Sequence, residues 1–347
     1  MEIIISNFSF LIPNFEDLSG GYCSGVPPLP IPNREVKPAC ADGTAMQCGR
    51  VGGRHFYSQS PEDTYLRGFL FTKNQEEMKK LVVCFVMLLF VQIVVAQQYK
   101  TVSNISFTTK SDAYAQERLK LDVYYPEDKN DCPVVVWFHG GGLEAGQKEI
   151  PQRLKDKGYV VVGANYRLLP NVTVDKTIDD TAEAVAWTFR HAKEYGGDPR
   201  KIVVTGHSAG GYLTMMLCLN KTWLKNYGVD ADSIWLYVPF SGQAVTHYNV
   251  RKMQGISPLQ PTIDEYAPLY WVRSDCPPFV LICGDRELEL YGRYDENQYL
   301  ARMMKLVGHQ YTYLYEIDGH GHVGMVDPSF HILDTHIKQM LGEPVYP

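Results

Sequence analysis

The chain has 347 residues, a formal net charge of −6 and 45% hydrophobic residues. This length is sufficient for a large buried core, and the ordinary apolar content excludes a wholly disordered chain. The sequence has no basic run that would neutralise phosphates, so we expect no nucleic-acid partner. The spacing of cysteine and histidine is not typical of zinc ligands, and we expect neither a metal nor a cofactor.

Residues 78–96 have the three-part layout of a secretory signal. Met78 is followed by two lysines, an apolar run of about 16 residues and the small-residue ending "VVAQ". The run is shorter than the roughly 20 residues that a spanning helix needs. We therefore expect cleavage after Ala96, a secreted or periplasmic protein, and no stable membrane span. The alternative is an uncleaved signal anchor.

The segment that precedes the signal differs in composition from the rest of the chain. Residues 1–77 are rich in glycine, proline and cysteine and show no sustained periodicity. Because a signal peptide belongs at the start of a chain, Met78 is interpreted as the initiator. Residues 1–77 are then non-native upstream translation or a disordered segment, and the alternative is a real cytoplasmic tail.

From Gln97 onward, short apolar strands alternate with helices. A hairpin is predicted at "ISFTT" and "LKLDVYY", followed by the strands "PVVVWF" and "YVVVGANY". A helix at "DKTIDDTAEAVAWTFRHAKEYG" stops at Gly196. The strands "KIVVTG", "IWLYVPF", "FVLICG" and "YTYLYEID" come next, with the helix "ENQYLARMMKLVG" before the last. This alternation predicts an α/β fold over residues 97–347: a mostly parallel sheet with helices on both faces.

Four of these strands end in groups that suggest chemistry. "HGGG" (139–142) follows the third strand, and "GHSAGG" (206–211) follows "KIVVT". "GDRELE" follows "FVLIC", and "GHGHVGM" follows "YTYLYEID". Ligands of such sheets bind at the carboxyl ends of the strands, so these groups are expected to lie close together.

The pattern Gly-x-Ser-x-Gly between a strand and a helix is typical of a nucleophile elbow, which presents Ser208 to a substrate. A serine needs a histidine base and a carboxylate that orients it, in the chain order Ser, acid, His. The sequence supplies an acid at Asp285 or Glu287 and a histidine at 320 or 322. Backbone N–H groups of Gly140, Gly141 and Ala209 are expected to bind the oxyanion.

The motifs resemble the α/β-hydrolase superfamily, within its HGGG-type esterase/lipase group. The chain is especially similar to the acetyl-xylan and feruloyl esterase-like (BD-FAE-like) branch. "VVVWFHGGG", "VVGANYRLLP", "EAVAWTFRHAKEYGGDPRKIVVTGHSAGGY" and "DGHGHVGM" carry a resemblance that covers nearly all of residues 97–347. It implies a serine carboxylesterase. The family pattern Gly-x-x-His selects His322 over His320, and the family spacing from Gly284 selects Glu287, with Asp285 as the alternative acid.

The connection at residues 241–275 is long and predicts a short lid-like insertion. Its aromatic residues are expected to stack on sugar or line an acyl pocket, with ordinary packing as the alternative: Tyr248, Tyr266, Tyr270 and Trp271. An insertion of this size favours a short acyl group such as acetate. The substrate would then be a small acetyl ester or an acetylated plant polysaccharide. Two other functions stay open: an arylformamidase or peptidase that attacks amides, and a non-catalytic binding protein. The sequence indicates no oligomeric state.

Overall fold

An eight-stranded sheet forms the centre of the structure, a computed structural model that describes residues 75–83 and 97–344. The strand order is β1-β2-β4-β3-β5-β6-β7-β8. β1 pairs antiparallel with β2 and β2 with β4, whereas every other neighbouring pair is parallel. The strands are β1 (Tyr99–Ser106), β2 (Lys120–Pro126), β3 (Cys132–Phe138), β4 (Val160–Ala164), β5 (Gly197–His207), β6 (Leu236–Phe240), β7 (Phe279–Gly284) and β8 (Thr312–Ile317).

Seven helices lie within residues 97–344, between strands or after the last strand. They are α1 (Ala113–Arg118), α2 (Val174–His191), α3 (Ala209–Leu219), α4 (Thr222–Lys225), α5 (Tyr248–Met253), α6 (Arg293–Leu306) and α7 (Val326–Leu341). Short 3₁₀ turns lie at Gln152–Leu154, Ala192–Tyr195, Ala231–Ser233 and Pro268–Trp271.

Each face of the sheet has its own apolar cluster. Successive side chains of a strand point to opposite faces, so Val134 and Val136 of β3 join one cluster while Val135 and Trp137 join the other. The first cluster includes side chains of α2, α3 and α6, and the second includes side chains of α7. The prediction of an α/β sheet with helices on both faces is confirmed.

The predicted hairpin is only partly right. β1 and β2 do pair antiparallel, but α1 lies between them. Asp112 caps this helix, since its carboxylate accepts a hydrogen bond from the N–H of Ala115 at 2.9 Å. The strands are therefore joined by a capped helical turn and not by a tight hairpin loop.

Residues 75–83 are helical. None of the helices that the structure describes combines the length and the apolarity required to cross a membrane. The expected cleavage point after Ala96 lies outside the described residues, as do most of the expected signal peptide and nearly all of residues 1–77.

Candidate active site

Ser208 lies at the turn between β5 and α3. Its φ of 57° and ψ of −111° belong to a region that residues other than glycine rarely adopt, and its N–H donates to the Phe240 carbonyl at 2.8 Å. A Cβ on Gly206 or Gly210 would lie 2.5 or 2.0 Å from the Phe138 carbonyl oxygen. Glycine is therefore required on both sides of the serine, and the turn has the form predicted from "GHSAGG".

His322 lies beside Ser208, on the segment that follows β8. Its Nε2 is 2.9 Å from Ser208 Oγ, and its Nδ1 is 2.9 Å from Glu289 Oε2. The Glu289 side chain is completely buried. His320, the other candidate base, is exposed, and its Nδ1 is 2.8 Å from the Asp318 carbonyl oxygen. A continuous hydrogen-bonded chain thus joins the serine, His322 and a buried carboxylate.

The carboxylate beside His322 is Glu289, so the predictions of Glu287 and Asp285 are wrong. β7 ends at Gly284, and the chain then turns helically, with the Glu289 N–H donating to the Asp285 carbonyl at 2.8 Å. Because of this turn, the Glu289 carboxylate lies against Gly284 at the end of β7, whereas Glu287 is exposed. The Asp285 carboxylate instead accepts from the backbone N–H groups of Gly319 and Glu287, at 2.8 and 2.9 Å.

Hydrogen-bond donors surround the Glu289 carboxylate. Oε1 accepts from Ser241 Oγ at 2.7 Å and from the Gly284 N–H at 3.1 Å. Burial raises the pKa of Glu289, but the hydrogen bond and charge of His322 and the Ser241 hydroxyl outweigh it and lower the pKa to about 2. The carboxylate is therefore ionised at neutral pH and stabilises an imidazolium at His322.

Two further residues of this site were not identified from the sequence. Ser241 directly follows β6, is fully buried, and its Oγ is 3.0 Å from His322 Nδ1. His207 immediately precedes the nucleophile, and its Nε2–H donates to the His322 carbonyl at 2.8 Å. Their positions next to a strand end and a motif serine were the available signals, but hydroxyl and imidazole groups are common in such places.

The "HGGG" segment lies beside Ser208. A Cβ on Gly140 would be 3.5 Å from the Cβ of Ser208 and 3.2 Å from Nδ1 of His207. Within residues 97–344, neither the Gly140 nor the Gly141 N–H donates to a backbone carbonyl. Ala209 is the first residue of α3, where backbone N–H groups have no acceptor within the helix. The arrangement offers donors around the serine for a developing oxyanion.

The four aromatic candidates of the insertion separate in the structure. Tyr248 lies against the glycine segment, because a Cβ on Gly142 would be 2.4 Å from its hydroxyl. Tyr266 lines a separate cavity of about 220 Å³ with side chains of α5 and the start of α2. Tyr270, 57% exposed, packs edge-on against Trp271, whose indole N–H donates to the Glu265 carbonyl. Of the four, Tyr248 is therefore the candidate that the structure places against the "HGGG" segment.

Among the residues that the structure describes, no cluster of His, Cys, Asp or Glu side chains is arranged to hold a metal ion. The cysteines after residue 97 are buried and free: Cys132, Cys218, Cys276 and Cys283.

Comparison with known sequences places residues 121–247 in the BD-FAE family model. A probable isoprenylcysteine α-carbonyl methylesterase of Oryza sativa subsp. japonica is 31% identical over 125 residues, which are 35% of this chain and 29% of the relative. A probable carboxylic ester hydrolase of Mycobacterium tuberculosis is 31% identical over 190 residues, 47% of this chain and 44% of the relative. The chain spans less than half the length of these curated relatives.

Solved structures share the fold over most of their length. A truncated carbohydrate esterase from gut microbiota has a TM-score of 0.58 at 17% identity, covering 72% of this chain and 98% of that one. Esterase 2 of Thermogutta terrifontis has a TM-score of 0.55 at 22% identity, covering 73% and 97%. The chain therefore has the fold of these esterases, and residues 121–247 match the BD-FAE family model, in agreement with the resemblance inferred from its motifs.

Proposed function

We propose that the chain is a serine carboxylesterase that hydrolyses esters of short acyl groups, with acetyl esters as the preferred class. The observation that carries the proposal is the chain of 2.9 Å contacts from Ser208 through His322 to Glu289. Beside it lie the N–H groups of Gly140 and Gly141, which donate to no backbone carbonyl within residues 97–344. Carboxylesterases among the relatives of this chain support the same chemistry.

The geometry suits a two-step acyl transfer. Ser208 Oγ attacks the ester carbonyl while His322 Nε2 takes its proton, and Glu289 stabilises the imidazolium that results. The oxyanion accepts hydrogen bonds from N–H groups of Gly140, Gly141 and Ala209. His322 then protonates the leaving alcohol. A water molecule repeats the sequence on the acyl-enzyme, releasing the acid and restoring the serine.

The insertion supports a short acyl group. Asn249 of α5 donates its side-chain N–H to the Gly142 carbonyl at 2.6 Å, and Tyr248 packs on the same glycine. This contact holds the insertion against the "HGGG" segment, and we infer from it that the insertion leaves room for a short acyl group beside Ser208. The Thermogutta esterase has been solved with butyrate and with propionate bound, which supports the choice of short acyl esters as test substrates. We extend the proposal to acetylated plant polysaccharide.

Hydrolysis of p-nitrophenyl acetate, butyrate and octanoate by the protein and by Ser208→Ala tests this function. We expect fast turnover of the two shorter esters, and a loss of at least about 10⁴-fold in kcat in the variant. Ser233→Ala, which alters an exposed serine, is the control and keeps full activity. Acetate release from acetylated xylan then tests the polymer substrate. Turnover of aryl formamides without ester turnover would favour an amide hydrolase, and a folded, inactive protein a binding role.

We also propose that residues 78–96 are a signal peptide of an exported protein. We expect mass spectrometry of the native protein to show that the mature chain begins at Gln97. A native peptide from residues 1–77 would contradict this start.

A further inference from the structure

A buried arginine lies behind the "HGGG" segment. Arg118, the last residue of α1, is 8% exposed. Its guanidinium binds backbone oxygens: Nε donates to the Tyr166 carbonyl at 3.1 Å, and Nη2 donates to the Gly146 carbonyl at 2.6 Å. Burying a charged guanidinium costs free energy that ordinary apolar packing would not. Its position therefore indicates a task other than filling space.

The same guanidinium faces the imidazole of His139. Nη2 of Arg118 is 3.4 Å from Nε2 of the ring, and Nδ1 of the ring is 2.6 Å from the Gly140 carbonyl oxygen. A carbonyl oxygen only accepts, so Nδ1 carries the proton and Nε2 accepts from Arg118. Burial, together with the Arg118 charge, lowers the pKa of His139 to about 4, so the ring is neutral at pH 7. Hydrogen bonds thus run from Arg118 through His139 to Gly140.

The Gly140 carbonyl belongs to the peptide group that carries the Gly141 N–H. This peptide is trans, so its C=O and N–H point in opposite directions. A hydrogen bond that holds the Gly140 oxygen against His139 therefore directs the Gly141 N–H away from His139. Because this N–H has no backbone acceptor within residues 97–344, it is free to bind a substrate oxygen.

The surroundings of His139 keep its ring in this orientation. Tyr166 stacks on the imidazole with ring centroids 4.4 Å apart, and its hydroxyl donates to the His139 carbonyl at 2.8 Å. Gly146 passes so close that a Cβ would lie 2.2 Å from His139 Nδ1. Arg118 binds the backbone oxygens of both Tyr166 and Gly146, so one side chain ties together the two segments that enclose the ring.

We propose that Arg118 is a positioning residue that fixes the tautomer and orientation of His139, which in turn aims the Gly141 N–H at the substrate oxyanion. The inference rests on the proposed function, because it assigns a task within that reaction. Arg118 acts through His139 and Gly140, without contact to the substrate. Its loss therefore weakens stabilisation of the oxyanion, which appears in kcat, and leaves ground-state binding, which appears in KM.

Arg118→Met and Arg118→Lys in the full chain test the proposal, with Arg153→Met as the matched control. Arg153 is an exposed arginine paired with Asp327. Two readouts are measured: kcat and KM for p-nitrophenyl acetate, and the second-order rate of Ser208 phosphonylation by a fluorophosphonate, followed by intact mass. Both reactions place negative charge on an oxygen beside Gly141. Thermal melting reports folding.

We expect Arg118→Met to lower kcat and the phosphonylation rate together by about 10- to 100-fold, with KM changed less than twofold. Loss of an oxyanion donor costs about 10²–10³ in kcat, and a misdirected donor costs part of that. Arg118→Lys keeps the charge, but its single nitrogen does not reproduce the guanidinium fork, so an intermediate loss is expected. Arg153→Met leaves both rates unchanged.

Unchanged rates in folded Arg118→Met, or a change confined to KM, would overturn the proposal. If Arg118→Met fails to fold, Arg118→Lys decides by the same criteria. A wild-type protein that is phosphonylated but turns over no ester contradicts the proposed function, while the phosphonylation rates still decide the role of Arg118. A folded wild type whose Ser208 is not phosphonylated contradicts both.

Discussion

Two regions of the sheet meet at Ser208, and their sequences encode the site in different ways. The ends of β3 and β5 contribute backbone: glycines that permit close approach, and, after β3, N–H groups with no backbone acceptor within residues 97–344. The ends of β6, β7 and β8 contribute side chains, namely Ser241, Glu289 and His322. A backbone contact demands glycine at a fixed position, whereas a side-chain contact depends on how each loop turns after its strand. The first region was therefore readable from sequence and the second only in part.

The largest expected effect tests the side-chain region at its acid. Glu289→Gln keeps the shape of the side chain but removes the charge that stabilises an imidazolium at His322, so we expect kcat to fall by about 10³- to 10⁴-fold. Glu287→Gln, two residues earlier and exposed, is the matched control and is expected to change kcat less than twofold. Steady-state kinetics on p-nitrophenyl acetate measure both. An equal or larger loss in Glu287→Gln would show that the loop takes another arrangement during catalysis.

The next effect tests the backbone region. A Cβ in Gly210→Ala would lie 2.0 Å from the Phe138 carbonyl oxygen and 2.6 Å from its carbon, atoms held in a central strand. Overpacking typically costs about 1–3 kcal/mol, and because backbone atoms of a central strand yield little, we expect the free energy of unfolding in urea to fall by about 3 kcal/mol.

Gly324→Ala is the control for this substitution, since the nearest heavy atom to its Cβ would be 3.7 Å away. We expect its free energy of unfolding to change by less than about 1 kcal/mol. Equal destabilisation by the two alanines would indicate that the approach between α3 and β3 is not as close as the structure has it.

The same distinction explains what the sequence predicted. The apolar strands fixed the α/β sheet, and the glycines around Ser208 indicated the elbow. His322 followed from the resemblance, whose pattern Gly-x-x-His selects it when counted from Gly319. The acid was misassigned because Asp285, Glu287 and Glu289 lie within five residues, and only the helical turn after β7 selects among them. Arg118 gave no signal, because its partners lie far from it in the sequence: the carbonyls of Gly146 and Tyr166 and the ring of His139.

A smaller effect is expected at Ser241, which touches both partners of the acid–base pair. Ser241→Ala removes one hydrogen bond to the Glu289 carboxylate. A hydrogen bond to a charged group contributes about 1.5–3 kcal/mol, and with the backbone donor to Glu289 still present we expect kcat to fall about 10-fold at constant KM. Ser233→Ala serves again as the control. An unchanged kcat would show that the carboxylate holds His322 without help from the hydroxyl.

The last expected effect concerns His207, where the two regions touch, and is measured as stability against pH. Burial and the neighbouring His322 together lower the pKa of His207 to about 4. An unfolded histidine titrates near pH 6.5, so between about pH 6.5 and 4 the unfolded state binds more protons and stability falls as the pH drops. His207→Asn removes one such group. His139, whose pKa is also about 4, still contributes in the same direction.

We therefore expect the free energy of unfolding to decline less steeply with acid in His207→Asn, by up to about 1.4 kcal/mol per pH unit in this window. Urea unfolding at pH 7, 6, 5 and 4.5 measures the slope. Asparagine retains a donor for the His322 carbonyl, which limits the loss at pH 7 and separates the titration from the hydrogen bond. Parallel pH profiles for the variant and the wild type would mean that His207 takes up its proton as readily in the folded chain as in the unfolded one. The backbone and side-chain regions would then be coupled only by the hydrogen bond from His207 to the His322 carbonyl. The charge on one of the two imidazole rings would not disfavour protonation of the other.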